Sequence, residues 1–394
     1  MRSGLKADVL PSESGHPLKN ILILTFSHIE GDPRVSRQID VLRRHYALTV
    51  AGRSGSGIEG VEFIDMIPRS KRLPQKVMGA LMLKTGRFER YYWGLPDVKD
   101  ALGRFRGRRF DLIIANDVET LPLASRISPG AKLLLDAHEY APNEFEDRWM
   151  WSFFAKDYTT SFLCREHLPR AHSVMTVCDS IADEYARNFN IPRPVVVLNA
   201  PHLQHLKPQP CTEQVRLIHH GKAIPSRRLE LMIEMADHLE ERFFLDLMII
   251  GMDTGYGQAL ARKVSSNPRI RFRSPVPMRE IPQTLNGYDV GIFLLPPSNF
   301  NYANALPNKF FEFIQARLAV AIGPSPEMAR YVRKYDCGVV THDFSPRQLA
   351  CELNALTAQD IDRLKMNAHI AAQDLCFEKS EPVLLDTVKA LLGA

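Results

Sequence analysis

Short apolar runs alternate with helical patterns along most of the chain, and this alternation decides the fold class. Asn20–Phe26 is an apolar run bounded by polar residues, as in a strand buried on both faces of a parallel sheet. Asp32 then suits an N-cap and Pro33 a first helical residue. Val35, Ile39 and Leu42 recur at helical spacing, predicting a helix to about His45. Strands are predicted at Ala47–Ala51, Val61–Met66, Asp111–Ala115, Lys132–Leu135, Ser173–Val177 and Val195–Leu198. A proline-bearing segment, Pro201–Thr212, precedes a second series at Val215–His219, Leu245–Ile250, Arg269–Arg273, Asp289–Leu295 and Ala319–Ile322. Repeated strand–helix–strand units build parallel α/β sheets. The expectation is two doubly wound domains, over 20–199 and 213–375, facing each other across a cleft. A flexible lead over 1–19, a linker over 200–212 and a final helix over 376–394, packed back on the first domain, complete the reading.

The composition excludes several classes. Hydrophobic residues are 45% and charged residues 24%, too apolar for a mostly disordered chain. No stretch is apolar enough for a membrane-spanning helix, and residues 1–19 lack the apolar core of a secretory signal, so a cytoplasmic protein is expected. Cys164, Cys178, Cys211, Cys337, Cys351 and Cys376 form no C-x-x-C pair, which argues for reduced thiols. Between Arg69 and Arg109 there are 12 basic and 3 acidic residues, favouring an anionic partner. No nucleic-acid motif accompanies them, so nucleic acid is not expected. Within this stretch Val77, Met78, Leu81 and Met82 interleave with Lys76 and Lys84, and Phe88, Tyr91, Tyr92 and Trp93 follow. That is the composition of a segment lying in an anionic membrane interface over 73–109, peripheral on the inner face. An apolar stripe packed on the first domain fits the same letters.

Two segments could carry chemistry. In Asn304–Ile322 a helix opens near Pro307, and free N–H groups at such a start attract anions. Lys309 and Glu312 lie three residues apart, so the carboxylate could take a ribose diol while the phosphates sit at the helix start. A solvated Lys–Glu pair on an ordinary helix has the same spacing. In His219–Glu230 a strand ends in Gly221, and Lys222, Arg227 and Arg228 follow, as suits a pyrophosphate or a merely solvated loop.

Taken together, the segments resemble a family 4 retaining glycosyltransferase of the GT-B fold, over residues 20 to 390 or so. The resemblance implies two Rossmann-like domains and transfer of a sugar, with retained anomeric configuration, from a UDP- or GDP-linked donor. The acceptor would be a glycan, a lipid-linked molecule or a small molecule. It implies no obligatory cofactor or metal. Gly221, Lys222 and Arg227 take the places of the family's diphosphate grip, with the two basic types exchanged. Gly251 matches the glycine ending the next strand, and the backbone at Val276, in Ser274-Pro-Val-Pro277, would meet the base. Asn199 falls at the family's interdomain asparagine. Leu306, Pro307, Asn308 and Lys309 form the "LPNK" variant of the Glu-x7-Glu motif. Glu312 is its second glutamate, the ribose ligand, while Asn304 replaces the first. Arg317 replaces the glycine usual in "GLPV".

In the first domain, Asp136-Ala-His-Glu139 resembles the family's "D-x-H-E" segment, which makes His138 catalytic, beside acceptor and donor sugar. Gly31, Asp32 and Arg34 resemble the first loop on the acceptor side, with Asp136 and Glu139 nearby. His28 and Glu30, and Asn116-Asp117, are further candidates. Lys222, Arg227 and the helix start near Pro307 would stabilise the departing diphosphate. A dehydrogenase would need G-x-G-x-x-G after the first strand, where Ser27-His-Ile-Glu-Gly31 stands. A nucleotide-sugar 2-epimerase and a non-catalytic partner subunit share the architecture and stay open.

Overall fold

The computed structural model describes residues 18–55, 58–66, 73–146, 148–265 and 267–393. The expected lead falls almost wholly outside them, as do Arg69, Lys71 and Arg72. The chain divides into two compact units, one of 1–197 with 381–394 and one of 198–380.

The first unit holds β1 (Asn20–His28), β2 (Ala47–Arg53), β3 (Val61–Asp65), β4 (Leu112–Asn116), β5 (Lys132–Ala137), β6 (Ser173–Thr176) and β7 (Val195–Val196). They form one parallel sheet in the order β3-β2-β1-β4-β5-β6-β7. Ile21, Leu22, Ile23 and Leu24 are fully buried, as a strand covered on both faces requires. Helix α1 (Pro33–Leu42) starts where expected, with Asp32 Oδ1 accepting from the N–H groups of Arg34 and Val35 at 3.2 and 3.1 Å. It ends at Leu42 rather than His45, because residues 43–45 close in turns. Three further helices of this unit matter below: α2 (Leu73–Lys84), α3 (Phe88–Gly94) and α4 (Trp149–Phe154).

The second unit holds β8 (Val215–Lys222), β9 (Phe243–Ile250), β10 (Ile270–Arg273), β11 (Val290–Phe293), β12 (Ala319–Ile322) and β13 (Gly338–Val340), parallel in the order β10-β9-β8-β11-β12-β13. The sequence reading lacked β13, which is three residues long and only half-buried. A Cβ at Gly338 would lie 1.9 Å from the Val320 carbonyl oxygen, so only glycine lets this edge strand close. Helix α5 (Asn308–Gln315) buries Phe310, Phe311, Phe313 and Ile314, and α6 (Ala358–Asp374) packs against it. Past α5, Arg317 is fully buried with a left-handed φ of 66°. Four hydrogen bonds hold it there: to the carbonyls of Ile314, Gln315 and Gln204 at 3.3, 2.6 and 2.5 Å, and to His369 Nδ1 at 2.9 Å. They offset the backbone strain that a glycine would avoid.

Strand order reverses between β1 and β4, and again between β8 and β11. Ligands bind outside the carboxyl ends of strands at such switch points. The candidate site of the second unit lies there, and that of the first lies one strand along, outside the carboxyl ends of β4 and β5.

Candidate functional site

In the first unit His138 follows β5 and lines a cavity of about 160 Å³. Asp117, Glu119, Glu139, Glu144 and Tyr185 are among its other walls. Two carboxylates flank the imidazole: Asp117 lies 3.7 Å from Nδ1 and Asp136 3.7 Å from Nε2, with Asn116 Oδ1 at 3.2 Å. Burial by itself would lower the imidazole pKa, but Asp117 and Asp136 outweigh it and push it up to about 9. His138 is therefore an imidazolium at neutral pH, a donor of charge and hydrogen bonds rather than a base. Asp117 holds its position with a positive φ of 63°, an uncommon conformation for a residue with a side chain. Burial, then Glu139, Glu119 and Asp117, push Glu144 up to about 9.

Beneath His138 lies a buried ion pair. Arg34 donates to Asp136 in a two-pronged bond of 2.7 and 2.6 Å and to the Val197 carbonyl at 2.7 Å. Gln38 adds a bond to Asp136 at 2.5 Å. Arg34 and Asp136 are 4% and 0% exposed, which corrects their expected place on the acceptor side. Side chains spent on each other and closed to solvent cannot touch an acceptor; they hold the strand end that carries His138. Asp32 is likewise occupied as the cap of α1 and as acceptor from Ser27 Oγ at 2.8 Å. Gly31, Glu139, His28 and Glu30 are exposed, and His28 Nδ1 lies 3.2 Å from Ser54 Oγ. Glu119, Glu144 and Tyr185 went unnoticed in the sequence, since nothing in their local pattern separates them from ordinary helix and loop residues.

In the second unit Gly221 is the last residue but one of β8, with φ 144°. Lys222 is exposed, and Arg227 is half-buried. Lys309 is buried, its Nζ 3.3 Å from His219 Nε2 and 4.4 Å from the centre of the Phe293 ring. Glu312 is buried one turn along α5, with Oε2 3.3 Å from His220 Nε2. Burial, then the Lys309 charge, hold His220 down at about 3, so it stays neutral. Pro307 caps α5, Leu306 is buried beside it, and Asn308 opens the helix. Asn304 is turned back on its own helix, donating to the Phe300 carbonyl at 2.9 Å. Gly251 ends β9 with φ 89°, and Val276 sits half-buried in the loop after β10. Asn199 is half-buried in the segment before β8. Gly221, Lys309, His219, His220 and Glu312 thus converge at one switch point. His219 and His220 went unnoticed because in sequence they read as strand residues. Among the described residues, no group of three or more His, Cys, Asp or Glu is arranged to hold a metal ion.

The basic stretch is only partly as expected. Leu73, Val77, Met78 and Leu81 on α2 are exposed, Leu73 at 74%. The aromatic end turns inward instead: Tyr92 is buried, donating to the Glu119 carbonyl at 2.8 Å, and Tyr91 packs edge-on against Tyr158. Arg104 and Arg108 pair with Asp100 and Glu62. In their place α4 adds exposed Trp149, Met150 and Phe153, joined to α2 through Lys84 Nζ, 3.5 Å from the centre of the Phe153 ring. No described helix is long and apolar enough to cross a membrane.

No family model matches the sequence, and no curated protein is similar to it. Solved structures are. Sucrose-phosphate synthase from Thermosynechococcus elongatus matches with a TM-score of 0.74 at 12% identity, covering 95% of this chain and 99% of that one. Anabaena HepE in complex with UDP-glucose matches with a TM-score of 0.68 at 16% identity, covering 94% and 100%. WaaG, a glycosyltransferase involved in lipopolysaccharide biosynthesis, matches with a TM-score of 0.63 at 16% identity, covering 93% and 99%. At such identities the likeness is one of fold, and with two parallel, doubly wound sheets the chain has the GT-B fold.

Proposed function

We propose that the protein is a glycosyltransferase that takes a sugar from a UDP- or GDP-linked donor and passes it, with retained configuration, to a glycan, lipid-linked or small-molecule acceptor. The observation that carries this reading is that Glu312, Lys309 and Gly221 are brought together at the β8–β11 switch point. A buried carboxylate one turn into a helix suits a ribose diol; the strand-end glycine and the lysine suit phosphates. The binding of UDP-glucose by HepE supports the same assignment. In this reading Lys222, Arg227 and Lys309 take up charge on the departing diphosphate. His138, in the first unit, gives a positive hydrogen-bond donor to the sugar or the acceptor. Val276 and Gly251 border the base, and Gly31 and Glu139 the acceptor. No obligatory metal or cofactor is invoked.

The test is stabilisation by nucleotide, since a ligand that binds only the native state raises the melting temperature. UDP or GDP should stabilise the protein, and the matching sugar nucleotide should release nucleoside diphosphate. No stabilisation by either would overturn the reading. Isomerised sugar nucleotide without an acceptor would mean an epimerase instead.

A pH prediction follows from His138. Its raised pKa means that the imidazolium contributes stability fully below the unfolded value near 6.5, lost as pH rises through about 9. Turnover should fall over the same window, and His138→Ala should be slow throughout with no such fall. An unchanged alkaline limb in His138→Ala would remove His138 from the reaction.

The acceptor reading extends to an anionic membrane surface, supported by the exposed apolar face of α2 and α4 beside Lys76, Arg87 and Arg90. Each basic residue near such a leaflet contributes on the order of 1 kcal/mol. The protein should sediment with vesicles containing anionic lipid and be released by rising salt. Leu73→Ser with Trp149→Ser should weaken this and leave nucleotide binding intact. Failure to sediment at low salt would point to a water-soluble acceptor.

A further inference from the structure

Lys309 has no ion-pair partner among the described residues, although the Glu312 charge lies near enough to favour its ammonium. Its side chain reaches the end of β8 at 7% exposure. Its neighbours are the Nε2 of His219 and the face of the Phe293 ring. We propose that Lys309 is the cation that grips the donor's diphosphate and that His219 is the positioning residue that aims it. The inference rests on the nucleotide-sugar reading above and names the residue that recognises the phosphates.

Three observations converge on it. First, His219 Nδ1 lies 2.8 Å from the Ile292 carbonyl, so it must carry the proton. Nε2 is then bare and accepts from the ammonium, fixing its direction. His219 is itself 1% exposed and cannot reach a ligand. Second, a Cβ at position 221 would lie 2.7 Å from Lys309 Nζ. Only glycine lets the ammonium come up against the end of β8, where the switch point opens. Third, among the described residues two buried polar atoms make no hydrogen bond: Nε2 of His220, which feels the Lys309 charge and is badly directed toward Glu312, and Oδ1 of Asn308, the residue before the lysine. A buried cation and unpaired polar atoms carry a cost that a hydrogen-bonding ligand relieves. A diphosphate supplies charge for the ammonium, and the hydroxyls of the same donor can pair with His220 and Asn308. Exposed Lys222 then becomes an outer contact.

The surroundings of Lys309 also predict a proton count. Burial, then Arg227, pull the Lys309 pKa well below the usual lysine range, with Glu312 opposing. His219 and His220, the other titratable neighbours, are neutral. A bound diphosphate raises the Lys309 pKa again. At alkaline pH binding must therefore take up a proton, and affinity must fall as pH rises.

The experiment is calorimetric titration of the full chain with UDP and with uridine, in two buffers of different protonation heat. Wild type should bind UDP more tightly than uridine and take up a proton with UDP alone. Lys309→Met should cut UDP affinity by about tenfold to a hundredfold with uridine unchanged, the size of a charge-assisted bond. Lys309→Arg, charged at every pH, should bind UDP without proton uptake. His219→Leu should weaken UDP binding, and His219→Gln, whose amide oxygen can accept from the ammonium, should recover part of it. A folded Lys309→Met with an unchanged ratio of UDP to uridine affinity overturns this inference and leaves the nucleotide reading standing. If wild type binds neither ligand, the nucleotide reading itself has failed. If Lys309→Met does not fold, the wild-type proton count decides, and no uptake overturns the assignment.

Discussion

Glu312→Gln should lose donor affinity by about tenfold to a hundredfold, because a hydrogen bond to a charged group is worth about 1.5–3 kcal/mol. The substitution keeps the volume of the side chain, so α5 should keep its packing. It removes the carboxylate that the reading gives to the ribose, and also a negative charge that eases Lys309. The loss should therefore appear with both UDP and uridine, whereas Lys309→Met spares uridine. Calorimetric titration of the two ligands distinguishes the cases. Unchanged affinities would take the nucleotide away from the end of β8.

Arg34→Met should be the most destabilising change in the first unit. It leaves Asp136 buried without its guanidinium, and breaking a buried ion pair costs about 3–5 kcal/mol. Burial alone would raise the Asp136 pKa, but Arg34 outweighs it and holds it well below the carboxylate range. The stability from Asp136 is present above the unfolded carboxylate pKa and lost as pH falls through the lower folded value. Arg34→Met should move the denaturation midpoint downward at neutral pH, and adding Asp136→Leu should restore much of it. A midpoint unchanged in Arg34→Met would mean that water replaces the guanidinium at no cost.

The strands were legible because a strand covered on both faces must be an unbroken apolar run, as Ile21–Leu24 is. Asp32 and Pro33 announced α1 through backbone chemistry that acts within a few residues. Gly221, Lys309 and Glu312 were legible because they lie at a strand end and on one helix start. The sequence could not show what Arg34 and Asp136 do, since their partners are 102 residues apart and burial depends on everything packed around them. For the same reason α4 was not seen as part of the apolar face of α2. His219 was hidden by its own strand, whose pattern is the same whether or not a side chain steers a neighbour.

The arginine at position 317 changes how α5 can move. Two of its hydrogen bonds hold the last carbonyls of the helix, at Ile314 and Gln315, and two tie it to the segment at Gln204 and to His369 on α6. The near end carries Asn308 and Lys309. The helix is thus a short lever, fixed at one end and loaded at the other, about 12 Å long at 1.5 Å per residue. A tilt of about 5° at the fulcrum would carry the Lys309 end by roughly 1 Å, and misplacement on that scale can cost about a hundredfold in rate. Arg317→Gly would relieve the backbone but empty a buried site and free the fulcrum, so turnover should fall well below that of the wild type even at temperatures where the variant is fully folded.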